Sequence, residues 1–159
     1  MAEVRRATAA DIEALVAMGR ALHAESPRYR EKRFDPDKVR RLARDMLGTL
    51  LGGNTCVLVA EAGGEIVGMA ALVLSEYWFG PDLFVTDLTV YVKPEHRGGS
   101  AFFRMVRTME AWASAQHATE LDIGVSTDIG TDRTVCAYQR LGYKLSPTRI
   151  VTKTLHHGD

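Results

Sequence analysis

Residues 90–103 run Val-Tyr-Val-Lys-Pro-Glu-His-Arg-Gly-Gly-Ser-Ala-Phe-Phe, and they constrain the fold more than any other stretch. They read as the end of a strand, a tight glycine-containing turn and the start of an amphipathic helix. Upstream, Leu83 to Lys93 is the longest strand candidate. It places Val85, Asp87, Thr89 and Tyr91 on one side and Phe84, Leu88, Val90 and Val92 near the other, unless a bulge breaks the alternation. Downstream, Phe102, Met105, Val106, Met109, Trp112 and Ala113 fall on one helical face. The first amides of a helix have no intrahelical partner, and the helix dipole is positive at that end. Such a terminus binds phosphate, and Gly98 and Gly99 let the backbone come close to a ligand. Arg97 adds a cation and Ser100 a hydroxyl. A plain strand-to-helix connection remains open as the alternative. The chain lacks both the Gly-x-x-x-x-Gly-Lys-Ser/Thr loop and the Gly-x-Gly-x-x-Gly fingerprint of nucleotide binders.

The rest of the chain supplies partners for that unit. Val4 to Ala7 reads as a first strand. A helix-start signal at Thr8 to Asp11 precedes Ile12, Leu15, Val16, Gly19 and Leu22 at helical spacing. That helix should stop near Glu25, because Pro27 disfavours helix in the residue before it. Ser26 to Asp35 is a polar, basic loop. A second helix begins around Pro36, carries the stripe Val39, Leu42, Ala43, Met46, Leu47 and Leu50, and ends at Gly52-Gly53-Asn54. Thr55 to Glu61 and Glu65 to Tyr77 form a hairpin about Gly63-Gly64. Leu121 to Val125 is a strand and Asp132 to Leu141 a short helix. Tyr143 to Leu145 and Thr148 to Leu155 are read as closing strands. The order is β-α-α-β-β-β-α-β-α-β-β, which implies a central mixed sheet with helices on its faces.

The chain has 159 residues, so one domain spanning 1–159 is expected. Lys plus Arg and Asp plus Glu both number 20, and a net charge of zero argues against a nucleic-acid partner. A basic cluster runs from Arg28 to Arg44 and is read as a solvated face. Cys56 and Cys136 lie in segments read as buried, and two cysteines make neither a disulfide framework nor a metal site. The stretch MAEVRRATAADIEAL has no apolar leader core, and no run approaches the ~18 apolar residues of a membrane span. A cytoplasmic protein without a membrane partner is expected.

Val92-Lys93-Pro94-Glu95-His96-Arg97-Gly98 resembles the approach to the acetyl-CoA motif of GNAT acetyltransferases, (Gln/Arg)-x-x-Gly-x-(Gly/Ala). By position Arg97 is the motif's first residue, and Gly98 and Gly99 are its variable pair. Ser100 stands where the family has Gly, and Phe102 where it has Gly or Ala. Phe102 is expected to point into the core with Met105 and Met109. Downstream, Tyr138-Gln-Arg-Leu-Gly-Tyr143 resembles the family's Tyr-x-x-x-Gly-(Phe/Tyr) ending, with Thr131 and Thr134 in place of the usual Asn and Ala.

The resemblance implies an α/β (α+β) fold, with a mixed, mostly antiparallel sheet of six to seven strands and about four helices. It implies transfer of an acetyl group from acetyl-CoA, with no metal, to a primary amine on a small molecule or peptide. It assigns Val90, Tyr91, Val92, Arg97, Gly98, Gly99, Ser100 and Ala101 to acetyl-CoA. An amine must be neutral to attack, so a base is needed, and the oxyanion that forms needs donors. The family implies a strand N–H near Val90 to Val92 for the oxyanion, and Tyr138 as the acid for the leaving thiolate. A core role for Tyr138 is the alternative.

Asp87 is the base candidate, since a carboxylate on a buried strand gains pKa by desolvation; a salt bridge is the alternative. Glu76 is second, and is grouped with Arg28 and Tyr29 on the acceptor side. Arg28, Tyr29 and Arg30 contact either the acceptor or the CoA 3′-phosphate. Tyr77, Trp78 and Phe79 form an opposite wall, a lid over the hairpin or a dimer contact, so a homodimer stays open. His23, His96, His117, His156 and His157 are read as structural or solvated. The alternative to an enzyme is a non-catalytic acyl-CoA-binding or regulatory module of the same fold. An RNA-directed acetyltransferase is a third reading.

Overall fold

The computed structural model describes residues 1–48 and 53–155. Leu50, Gly52, His156 and His157, to which the sequence assigns a helix stripe, a helix stop and a frayed end, lie outside the described residues. The chain divides into two compact units, Met1–Ile129 and a second one starting at Gly130.

The first unit is a sheet with helices on its faces. β1 (Glu3–Arg6) is followed by a 3₁₀ turn, α1 (Ile12–Glu25), α2 (Pro36–Leu47), β2 (Thr55–Ala62), β3 (Glu65–Glu76), β4 (Leu83–Val92), α3 (Ser100–Ala115) and β5 (Glu120–Asp122). The spatial order is β1-β2-β3-β4-β5. Every pairing is antiparallel except β4 with β5, which is parallel. A parallel pair needs a crossover, and α3 provides it.

Local chemistry explains the element ends. The Asp35 carboxylate accepts from the Asp37 and Lys38 amides at 2.9 and 3.1 Å and starts α2, with Pro36 in the first turn. Gly63 and Gly64 have φ of 60° and 80°, the left-handed pair that a tight β2–β3 hairpin requires. Residues 56–60 of β2 are buried without alternation, as befits an inner strand covered on both faces.

The two faces hold separate sets of apolar side chains. Ile12, Leu15, Val16 and Met18 of α1 and Ala43 and Met46 of α2 pack with Val57, Val59, Met69, Ala71 and Tyr91. The alternate positions Leu58, Ala70, Leu72, Val85 and Val92 are buried on the other face, where α3 buries Met105, Val106 and Met109.

The β3–β4 register shifts between Ala71 and Leu72, which leaves Leu88 as the extra residue of a bulge. Cross-strand partners share a face. Asp87 and Val85 oppose Leu72 and Leu74, whereas Thr89 and Tyr91 oppose Ala71 and Met69. The expected single row Val85-Asp87-Thr89-Tyr91 is therefore split by the bulge, and its two halves face opposite sides of the sheet.

The second unit contains α4 (Thr131–Arg140). Residues 141–155 hold no strand, so Tyr143–Leu145 and Thr148–Leu155 do not form the expected closing strands. Among the described residues the sheet has five strands rather than six to seven. A strand needs a ladder partner as well as β-branched residues, and Leu145, Ile150, Val151 and Leu155 are exposed. Cys56 is buried as expected, but Cys136 is exposed. Phe102 is only partly buried, and Ala101 takes the first core position of α3 instead. Among the described residues no helix is long and apolar enough to cross a membrane.

Candidate active site

β4 is covered on its far edge by β5 only from Phe84 to Thr86. Beyond that point no strand of the described residues pairs with it. The Lys93 N–H bonds to the Val67 carbonyl at 2.9 Å. Antiparallel ladders alternate, so residues 89, 91 and 93 face β3. The N–H and C=O groups of Val90 and Val92 then face the uncovered edge. The bulge at Leu88 decides this, because one fewer residue would turn the opposite set outward. Where β4 and β5 diverge, the Gly124 N–H donates to Asp87 Oδ1 at 2.6 Å. Burial pushes the Asp87 carboxyl pKa up, and the Gly124 hydrogen bond offsets part of that rise.

The edge runs into the turn. Gly98 has φ of 81°, a left-handed conformation that favours glycine. Gly99 is the N-cap of α3, and no side chain caps that helix. Ser100 is exposed and Ala101 buried. A 16-residue helix therefore presents its positive end beside strand edge donors and acceptors. That fits a group with a pyrophosphate followed by an amide-bearing arm, as in a CoA thioester.

The Arg97 side chain is committed within the protein. Its Nε donates to the Val92 carbonyl at 2.9 Å, and its two terminal nitrogens donate to the Glu25 carboxylate at 2.5 and 2.7 Å. The Tyr91 hydroxyl donates to Glu25 at 3.1 Å, and the Arg97 guanidinium lies 5.5 Å from the Tyr91 ring centre. Arg97 holds the Glu25 carboxyl below the usual carboxylate range. The field at the turn thus comes from the helix end more than from a free cation.

The loop after α1 is tied to the segment after β5. The Ser26 hydroxyl donates to the Thr127 carbonyl at 2.5 Å, and the Tyr29 hydroxyl to Ser126 Oγ at 3.1 Å. Arg28 reaches the Ser126 carbonyl at 3.4 Å. Arg28 and Tyr29 thus line this side of the opening. Glu76 is elsewhere: it opposes Leu83, four residues up β4 from Asp87, about 13 Å at strand rise.

Trp78 and Phe79 are 94% and 71% exposed, and the Phe79 ring stacks on Tyr77 with centres 5.3 Å apart. The His23 ring bonds to the Lys32 carbonyl at 2.8 Å and packs on Phe34, a structural use. Tyr138 belongs to the second unit, where it is buried on α4 with its ring 5.2 Å from that of Tyr143. Among the described residues no group of three or more His, Cys, Asp or Glu is arranged to hold a metal. Sequence reasoning missed Glu25, Ser26 and Gly124. Glu25 was legible only as a helix end, and Gly124 gave no signal.

A family model described as the acetyltransferase (GNAT) family matches residues 18–143. Similar solved structures carry the same fold. A transcriptional regulator from Bacillus halodurans C-125 is 22% identical, with a TM-score of 0.77 over 97% of this chain and 100% of that one. A predicted acetyltransferase with acetyl-CoA from Clostridium acetobutylicum is 18% identical, with a TM-score of 0.71 over 96% of each chain. A ribosomal-protein-alanine N-acetyltransferase from Brucella melitensis biovar Abortus 2308 is 14% identical, with a TM-score of 0.73 over 97% of this chain and 99% of that one. No curated protein matches the chain in sequence.

Proposed function

We propose a function from one premise: this chain belongs to the acetyltransferase (GNAT) family. On our reading, residues 1–159 act as one domain that moves an acetyl group from acetyl-CoA to a primary amine of a small molecule or peptide. The observation that carries this is the uncovered β4 edge running into the uncapped N-terminus of α3. The similar structure that holds acetyl-CoA supports the choice of donor.

Bound acetyl-CoA supplies an acetyl thioester open to an amine. The amides from Gly98 to Ala101 and the helix dipole hold its phosphates. The outward Val90 peptide groups and the Val92 N–H bind carbonyl and amide groups of the arm, the Val92 carbonyl being held by Arg97, and an N–H there stabilises developing negative charge. Asp87 takes the proton of the amine, its affinity for that proton raised by burial. The Tyr138 hydroxyl gives a proton or hydrogen bond to the departing sulfur. Arg28 and Tyr29 belong to the acceptor side, and Glu76, about 13 Å up β4 from Asp87, is left out of it.

Calorimetric titration of acetyl-CoA and free CoA tests the reading, followed by thiol release with a panel of amines. Micromolar binding of both with amine-dependent thiol release is expected. Tyr138→Phe should lower kcat and keep CoA affinity. Folded protein that binds neither ligand would overturn the reading.

A further inference from the structure

The last turn of α1 touches both banks of the opening between β4 and the segment after β5. Glu25 receives the bidentate Arg97 pair and the Tyr91 hydroxyl on the β4 bank. Its neighbour Ser26, fully buried, donates to the Thr127 carbonyl on the other bank. The Ser26 oxygen also accepts from the Tyr29 amide at 3.2 Å, which folds the following loop onto the same bank. Two consecutive residues therefore fix the distance between two backbones that no ladder joins. Closer to β5, the Asp87–Gly124 bond spans the gap.

The β4 contact reaches the edge itself. The Arg97 Nε–H occupies the Val92 carbonyl, one of the outward peptide groups, and Arg97 directly precedes Gly98. A bidentate carboxylate locks a guanidinium in plane. With Glu25 in place, the guanidinium, the Val92 peptide and the start of the glycine turn have one arrangement. Without it, Arg97 is free to swing toward the phosphates or into solvent, and the turn loses its anchor.

We propose that Glu25 is a positioning residue: with Ser26 it forms a clasp that sets the width of the β4–β5 opening and presents the Val92 edge and the Gly98–Gly99 turn to the CoA moiety. The inference rests on the acetyl-CoA reading of the same site. Glu25 itself touches no reacting atom. Its charge is consumed by Arg97, so it acts through the geometry of its neighbours. A clasp of this kind predicts loss of donor affinity with little loss of turnover at saturation.

The test is a binding and kinetic comparison on the full chain, with free CoA as the titrant and acetyl-CoA as the varied substrate. Glu25→Gln keeps the shape but turns an amide donor toward Arg97. Its Kd for CoA and KM for acetyl-CoA should rise roughly 10-fold, with kcat within about 2-fold. Tyr91→Phe and Ser26→Ala should each show a smaller rise, and they carry the test if Glu25→Gln does not fold. In a double-mutant cycle, Glu25→Gln with Arg97→Gln should bind no worse than Arg97→Gln alone. Wild-type affinity in all three single variants, or additive losses in the cycle, would overturn the clasp. A wild-type protein that does not bind CoA at all would overturn the acetyl-CoA reading beneath it.

Discussion

Asp87 is a carboxylate held where burial favours its protonated form. Its folded pKa lies above its unfolded value, which is near ~4. Ionised Asp87 therefore costs stability at neutral pH, and that cost disappears as pH falls below the unfolded pKa. Asp87→Asn keeps an oxygen to accept the Gly124 N–H. Its Tm at about pH 7 should equal or exceed that of the wild type, with the gain gone near pH 4. If Asp87 is the base, kcat should fall by ~10² or more in the same variant. Thermal melts and initial rates on one preparation check both halves. A variant that loses stability without losing rate would return Asp87 to a structural role.

At the scale of elements, the turn before α3 and the cap of α2 make a matched pair. Gly98→Ala forces a left-handed residue to carry a Cβ, although nothing lies within 4 Å of that atom. The cost is conformational, about 1 kcal/mol. CoA affinity should fall with it, because the amides that follow are the phosphate donors. Gly99→Ala has an ordinary φ of −88°, and its Cβ would meet the His96 carbonyl at 3.4 Å. It should be milder in both assays. Asp35→Ala removes two amide partners at the start of α2 and should lower Tm by roughly 2–4 °C while leaving the CoA Kd unchanged. Scanning calorimetry with and without CoA separates the three variants. The Leu88 bulge belongs to this scale too. The sequence admits it as a break in alternation, but its consequence, which peptide groups face outward, appears only in the paired register.

For the whole molecule, acid sensitivity follows from the carboxylates together. Arg5 holds Asp11 well below the usual range, Arg97 holds Glu25 low, Arg40 holds Glu13 low and Lys93 holds Glu65 low. A depressed folded pKa gives stability that is present above the unfolded pKa and is lost as pH falls through the folded one. Burial raises Asp87 and Asp122 and opposes the trend. The Lys38 and Asp37 amides hold Asp35 low as well, so five depressed carboxyls outnumber two raised ones, and Tm should be flat above about pH 5 and should fall steadily below about pH 4. Asp11→Asn should shallow that fall, a change measurable by melts across the pH series. Ligand binding acts at the same scale. CoA at 100 times its Kd should add about 2.7 kcal/mol of stability.

Periodicity and turn chemistry in the sequence alone determined the element order from β1 to α4, the Gly63-Gly64 hairpin, the Asp35-Pro36 helix start and the strand–turn–helix unit at residues 83–115. These are local properties, set by side-chain spacing and by φ preferences that each residue carries with it. Tertiary structure decided the rest. Whether Thr148 to Leu155 becomes a strand depends on a partner edge, and β-branched residues do not supply one. Which face Asp87 and Tyr91 occupy depends on a bulge seen only against β3. That Arg97 is spent on Glu25, 72 residues away in the chain, depends on where α1 ends against β4. Long-range pairing carries no local signature, because its free energy arises only when two distant segments have already met.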